Sequence, residues 1–500
     1  MFRKLVLLPI LMAATIPGAI SMQGQTAAPD TLRLTLDDAI AMARVRSVDA
    51  AVALDELRAA YWEWRTFRAD QLPELTLKAT APSYARQYSS YMNGDGDYSF
   101  VRTNTLQATG ELAVTQNVAL TGGKISLSSS LDFLRQLDSP AYNRFMSIPV
   151  ALSIEQPLFG VNTMRWDRRI EPVRYAEAKA AFLSATEDVA RTTVEFYFDL
   201  LMSRENLAIA EQNLENAERL HAVAREKREM GQISRNDLLQ MELNELNARS
   251  ALTDCRSALT ASMFNLRAFL DLGENVEIQP EVPYDVPDAE IRYADALDRA
   301  MTNNKFVRTM LRTQLEADYE VARAKGDLRE IKLFAQLGYS GTDPEIGGAY
   351  SHLRSNQIAS IGFSIPLADW GKRRGKVKVA ESRRRVTESR IRLETMNFNQ
   401  ELFILVERFA NQRQQLDLAA RAAEIATRRY DTNVETYLVG MLSPLELNDS
   451  RTSKDSSRRD YISQLYKFWT YWYQLRSLTL YDYSAAHDID ADFDKLIKFQ

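Results

Sequence analysis

The sequence predicts a mixed α/β membrane protein of two structural repeats, in which strands suited to an outer membrane run on into very long helices. Three observations carry this expectation. The chain opens on an export segment, and no later run of 18 consecutive apolar residues follows it, so any membrane crossing falls to strands. Several segments alternate apolar and polar residues with the strand period. One register relates most of the second half to the first.

Taken in order, Phe2-Arg3-Lys4, the apolar stretch Leu5 to Ile20 and small residues from Ala19 to Ala28 predict a signal peptide over 1–24. Cys255 is the only cysteine, so the mature chain is not expected to be lipid-anchored through an N-terminal Cys. The first repeat is expected over 25–270. It opens on the helical LTLDDAIAMA, continues in strands over about 72–158 and ends in long helices over about 165–270. Leu75 and Leu77 begin one alternating run, and Ile148, Val150, Leu152 and Ile154 form another. Residues 271–290, acidic and proline-bearing, read as a linker. The second repeat, 291–483, has strands over about 331–367 (Leu333, Ala335, Leu337; Ile361, Phe363, Ile365, Leu367) and long helices over about 372–480. Residues 484–500 are left as a tail.

The repeat rests on two offsets. Pro157 and Pro366 differ by 209, and so do Gly231 and Gly440, which open the related phrases GQISRNDLL and GMLSPLELN. Upstream, Asp38-Ala39-Ile40 and Asp295-Ala296-Leu297 differ by 257. The first half therefore carries about 48 extra residues (257 − 209), read as a hairpin inserted over about 104–133 and turning at Thr121-Gly122-Gly123. Leu402, Phe409, Leu416, Ala423, Tyr430 and Tyr437 recur every seven residues, as do Leu252, Leu259 and Leu266, which predicts supercoiled helix seams. A soluble half-buried sheet would alternate as the strands do. The segments 86–102 and 341–355, rich in Tyr, Gly and Asp, favour external barrel loops instead.

Net charge of −5 and a pI near 5.6 give no reason to expect a nucleic-acid partner. His221, His352 and His487 fit no ligand spacing, and no nucleophile–base arrangement or phosphate loop is present, so neither a metal site nor an enzyme is expected. The basic run 372–378 reads first as a solvated helix start and second as an anchor beside the membrane.

With the duplicated helix–strand–strand–helix order, QPLFG, IPLADWGKRRG and the two glycine phrases in hand, the chain resembles the TolC-like outer membrane efflux proteins, and its TGG insert resembles Bacteroidetes-type members. The resemblance implies a homotrimer: a β-barrel in the outer-membrane lipid, continued by an α-helical coiled-coil tunnel through the periplasm. It further implies a passive duct of a tripartite efflux or type I secretion system, with a periplasmic adaptor (membrane fusion) protein and an inner-membrane pump of the RND or ABC type as partners. No cofactor is implied. Gly231, Ser234, Gly440 and Ser443 then fall at hairpin tips where the adaptor docks. Glu446, Asp449, Asp237, Asn236 and Tyr437 fall at the periplasmic entrance, and Phe159, Trp166 and Trp370 at the membrane interface. The sequence departs from the family at Leu442, where a basic partner is usual, and Arg235 or Arg451 are the substitutes it offers. The rival readings are a secreted coiled-coil scaffold, which leaves the strands unexplained, and an envelope enzyme.

Overall fold

The computed structural model describes residues 30–92, 97–138, 140–328, 331–363, 368–438, 441–442 and 444–498. The expected signal peptide lies outside them. In chain order the first repeat comprises β1 (Asp30–Leu34), α1 (Leu36–Arg46), α2 (Val48–Ala69), β2 (Glu74–Met92), β3 (Tyr98–Val118), β4 (Gly123–Gln136), β5 (Tyr142–Pro157), α3 (Thr163–Glu229) and α4 (Arg235–Phe269). After β6 (Val276–Pro280) come α5 (Tyr293–Asn303), α6 (Lys305–Gly326), β7 (Ile331–Asp343), α7 (Ile346–Ser351), β8 (Arg354–Phe363), α8 (Lys372–Leu438) and α9 (Pro444–Thr479). The chain closes with β9 (Tyr481–Asp482), β10 (His487–Asp488) and α10 (Phe493–Lys498).

The two offsets read from sequence reappear in the elements. Helices α3 and α8 have 67 residues each, begin 209 positions apart (372 − 163) and end 209 apart (438 − 229). At 1.5 Å per residue each is about 100 Å long. Helices α1 and α5, like α2 and α6, begin 257 apart (293 − 36 and 305 − 48). The opening helix expected in each half is thus a pair of helices, and the break falls at equivalent residues. Ser47 and Asn304 are both buried and extended, and their side chains accept from Ala50 N and Phe306 N to cap α2 and α6.

Six strands form one antiparallel sheet in the order β2-β3-β4-β5-β7-β8. The β3–β4 hairpin lies inside this order, hydrogen-bonded to β2 on one side and β5 on the other. At its turn Gly122 takes φ +76°, which suits glycine, and Asn162 grips the turn by donating from Nδ2 to Ala119 O (2.9 Å) while its Oδ1 caps α3 through Arg165 N. The two expected external loops turn out largely structured. Residues 86–92 and 98–102 belong to β2 and β3, whose pairing runs to Met92↔Tyr98 while β4 joins β3 only from Thr105. Within 341–355, α7 folds back so that Ser147 Oγ donates to Ala349 O (2.6 Å). Polar, tyrosine-rich composition reads as loop, but ladder pairing with β3 keeps residues 86–92 extended.

The linker also carries structure. Val276 and Ile278 alternate in phase with Leu32 and Leu34, and β6 pairs with β1 in parallel. Tyr197 of α3, fully buried, lies within hydrogen-bonding distance of Leu34 O (2.8 Å) and Glu281 O (2.6 Å), and so ties both strands to the helix. Around it Val194, Leu200, Leu266, Leu270, Leu402, Phe409, Phe468 and Trp472 make the main core, part-way down the long helices. The aromatic run 468–473 therefore packs within the chain, with Phe468 and Trp472 at 5.1 and 5.8 Å from Phe409.

Within the core a buried carboxylate holds three elements together. Glu187 of α3 accepts from Arg44 of α1 (2.6 Å) and Arg476 of α9 (2.8 Å), and Arg476 reaches on to Asp482. Beyond the core the seams loosen: Leu416 of α8 is buried, whereas Ala423 and Tyr430 are only half-buried. Helices near the sheet contact one another in the order α2-α3-α6-α8, and those toward the far end in the order α4-α3-α9-α8.

Candidate functional site

The sheet has two unlike faces. Following the strand pairings, one row reads Leu75, Val114, Leu127, Leu152 and Leu337, and each of these is more than a third exposed. The adjoining row reads Thr76, Ala113, Ser128, Ala151, Gly338 and Asn356, and the next on that face includes Thr115, Ser126, Ser153 and Gln336. An apolar face left in solvent over five strands needs an apolar environment, and the opposite face, small and polar, suits water. Farther along the apolar side, Tyr84, Tyr88 and Phe100 extend exposed from β2 and β3.

At the far end the two helical hairpins turn. Helix α3 stops because Gly231 adopts φ +76°. Gly231 N then donates to Arg228 O (3.0 Å) and Gln232 N to Lys227 O (2.8 Å), the paired bonds of a Schellman stop. The second hairpin repeats part of this at an offset of 209: Met441 N donates to Thr436 O (3.1 Å), matching Gln232 and Lys227. Pro444 opens α9, where a missing N–H costs nothing. Met230 and Met441 stand exposed at the two turns. Gly440 and Ser443, with the side chains of Asp237 and Tyr437, lie outside the described residues. Ser234 and Asn236 are exposed at the first turn, in front of α4 and within its first turn respectively.

Glu446 and Asp449 are both exposed on the first turns of α9. Asp449 Oδ2 is engaged by Arg429 Nη2 of α8 at 2.8 Å. Of the two residues offered for the basic position missing at Leu442, neither is seen to fill it among the described residues, and the Asp237 side chain it would face lies outside them. Arg451 bonds Asn448 instead, while Arg235 is exposed. Arg429 was legible in principle. It lies 11 residues before Gly440 and Asp449 lies 9 after it, and residues at similar distances from a hairpin turn face each other. Beside them Lys454 Nζ sits 4.4 Å from the Tyr430 ring centroid.

Farther up the first hairpin, His221 Nδ1 lies 2.5 Å from Glu245 Oε2, and Glu245 also accepts from Arg249 (2.8 Å). The hydrogen bond from His221 holds the Glu245 carboxyl below its ordinary range. Among the described residues no group of three or more His, Cys, Asp or Glu could hold a metal ion, and no helix is long and apolar enough to cross a membrane.

At the junction of sheet and helices, Phe159 is exposed and Trp370, at φ +52°, is 98% exposed. Trp166 is placed differently. It is half-buried against Tyr319 of α6 (5.9 Å), with the Arg169 guanidinium 4.8 Å from its ring centroid.

The profile of a family described as "Outer membrane efflux protein" matches residues 39–271 and 309–479. No curated protein sequence matches the chain. Among solved structures, the CmeC outer membrane channel of Campylobacter jejuni aligns at 14% identity and a TM-score of 0.66, covering 93% of this chain and 88% of that one. VceC, an outer membrane protein of Vibrio cholerae, aligns at 13% identity and a TM-score of 0.60, covering 91% and 97%. The MtrE outer membrane channel of Neisseria gonorrhoeae in its open state aligns at 14% and 0.56, covering 91% of each chain.

Proposed function

The chain belongs to the outer membrane efflux protein family, and on that premise we propose that three copies close one eighteen-stranded barrel in the outer membrane and one helical tunnel beneath it. It is a passive channel with no catalysis of its own. The observation that carries the trimer is that the chain is open on the same two sides at every level. Among the described residues the sheet ends in β2 and β8, each paired on one side only, the adjoining helix layer ends in α2 and α8, and the far layer in α4 and α8. First-repeat elements thus form one side and α8 with β8 the other, which suits a head-to-tail interface that closes by rotation. Edge strands left unpaired would invite uncontrolled pairing, and a neighbour's strand removes them.

The helix edges carry apolar seams to match. Val379, Val386 and Leu393 of α8 are exposed at intervals of seven; Val48, Val52 and Trp62 are exposed on α2. Farther down, Leu239, Leu243 and Leu246 of α4 face outward opposite Leu418 and Ile425 of α8. From Leu75 to Tyr84 is nine strand steps, on the order of 30 Å. At a barrel tilt of about 40° that height suits the ~25 Å apolar band of an outer membrane, with Tyr84 and Tyr88 as its upper aromatic girdle. The polar face then lines a lumen, and a wall of about eighteen strands is wide enough for an aqueous channel.

The hairpin turns at Gly231 and Gly440, with Ser234, Ser443 and exposed Met230 and Met441, are proposed as the docking surface for a periplasmic adaptor that links the duct to an inner-membrane RND or ABC pump. Glu446 and Asp449, with Asp237, Asn236 and Tyr437, are proposed to ring the entrance. Three copies of two acids would favour cations there. The Arg429 pairing tempers the Asp449 contribution. Fractionation tests the placement: the reading expects the chain in the outer membrane with heat-modifiable migration on gels, and a soluble mature chain would sink it.

A further inference from the structure

We propose that the junction between sheet and helices is a binding belt for the headgroups of anionic phospholipids, an inference that rests on the membrane placement proposed above. The apolar face of the sheet does not fade out at its helix-proximal end. Leu120 at the β3–β4 turn is 89% exposed, Leu158 and Phe159 follow β5 into solvent, and Trp370 precedes α8 with almost none of its surface covered. Asn162 holds the Leu120 carbonyl (3.3 Å) at the start of α3, so these side chains and the first turns of the long helices lie at one level.

Cations begin directly beyond them. Lys372, Arg374 and Lys376 are exposed on the first turns of α8, and none has a carboxylate within ion-pair distance among the described residues. The segment 369–378 carries five basic residues against one acid, Asp369. That acid is occupied as the helix cap, accepting from Gly371 N (3.0 Å) and Arg373 N (3.1 Å). Arg373 turns inward to Asp327 O and Lys378 pairs with Glu381 (3.1 Å), which leaves Lys372, Arg374 and Lys376 facing out without a carboxylate. The first repeat writes the same pattern. Arg165 and Arg169 are exposed on α3 and stand 209 positions before Arg374 and Lys378. Two halves that differ nearly everywhere else in this stretch keep a cation at both positions.

The chemistry selects one occupant. Unpaired ammonium and guanidinium groups fit phosphodiester oxygens. A row of exposed aromatic and aliphatic side chains contiguous with them fits the boundary between headgroup and acyl chain. A free anion would have no use for Trp370 or Leu120, and the proposed adaptor surface lies at the other end of α8, about 100 Å away. The lipid would set the height of the barrel in the bilayer and, where adjacent copies meet, neutralise cations that otherwise repel.

The test is native mass spectrometry of the full-length protein in mild detergent, supplied with phosphatidylglycerol or phosphatidylcholine of identical acyl chains. Wild type is expected to retain phosphatidylglycerol at least tenfold better. The variant Lys372→Gln/Arg374→Gln/Lys376→Gln should lose most of that preference, at roughly fivefold per cation. Lys372→Arg/Lys376→Arg should keep it, which separates charge from fold. Should the triple variant lose its native circular dichroism, Arg165→Gln in the first repeat is the second reading and should lower the preference alone. Equal retention of the two lipids by wild type, or an unchanged preference in the neutralised variants, overturns the proposal. Loss of phosphatidylglycerol on adding millimolar inorganic phosphate would show a free-anion site and overturn it as well. Outer-membrane fractionation with no lipid preference defeats only this inference; failure to fractionate there defeats the placement beneath it.

Discussion

Removing the Glu187 carboxylate should loosen the core where α1, α3 and α9 meet, and the size of the effect follows from what each partner has left. Glu187 is 1% exposed and accepts from Arg44 and Arg476. In Glu187→Ala, Arg476 keeps Asp482, and the Arg44 side chain, 32% exposed, can turn toward water. The full 3–5 kcal/mol typical of breaking a buried pair is therefore too much; about 2–3 kcal/mol is expected. Helical ellipticity followed through thermal unfolding would show a midpoint lower by roughly 2–3 °C. A double-mutant cycle with Arg44→Ala separates the pair from general packing, with a coupling of about 1 kcal/mol or more expected. Purely additive effects, or a Glu187→Ala protein as stable as wild type, would refute the role assigned to this carboxylate.

Three further outcomes follow from the same structure. Asp455 is 5% exposed, and its Oδ1 has no hydrogen-bond partner; burial raises its carboxyl above the ordinary range, partly offset by Lys454, Arg451 and Arg459. The folded state then holds this proton more tightly than the unfolded one, so stability falls as pH rises through the raised value. Asp455→Asn should therefore gain about 1 kcal/mol at neutral pH and lose that advantage at acid pH; a variant less stable at pH 7 would contradict this. At Gly231 a Cβ would meet open space, so Gly231→Val should cost about 1–2 kcal/mol through φ alone and Gly231→Asn clearly less, read from hydrogen exchange at the Gln232 amide. Equal effects of the two would show that φ is not what matters. In planar bilayers, Glu446→Ala with Asp449→Ala should weaken block by multivalent cations, whereas Arg429→Ala, which frees Asp449, should strengthen it. Block indifferent to all three would remove these residues from the entrance.

Much of the fold was legible because duplication magnifies weak signals. A helix or strand alone is ambiguous, but offsets of 257 and 209 recurring in α1/α5, α2/α6 and α3/α8 are not. The helix breaks at Ser47 and Asn304 escaped the reading because neither is Gly or Pro, and a polar cap inside an apolar pattern looks like one helix. Strand β6 hid in an acidic, proline-bearing stretch, since a parallel partner 246 positions away (276 − 30) leaves no local mark. The hairpin ends were half legible. Capping chemistry placed the turns, yet the Arg429–Asp449 pair depends on which faces two helices present across a hairpin, a matter of packing. Trp166 was read as an interface aromatic; the chain sets it half-buried against Tyr319 of α6 with Arg169 at its ring, contacts between distant segments that no local pattern marks.

Cryo-electron microscopy of the detergent-solubilised full-length particle tests the central proposal most directly. The account predicts threefold symmetry, one barrel of eighteen strands in which β8 of each copy pairs with β2 of the next, and α8 seated against the neighbour's α2 and α4. A twelve-stranded wall with the β3–β4 hairpin outside it, or a particle with any other number of copies, would contradict it.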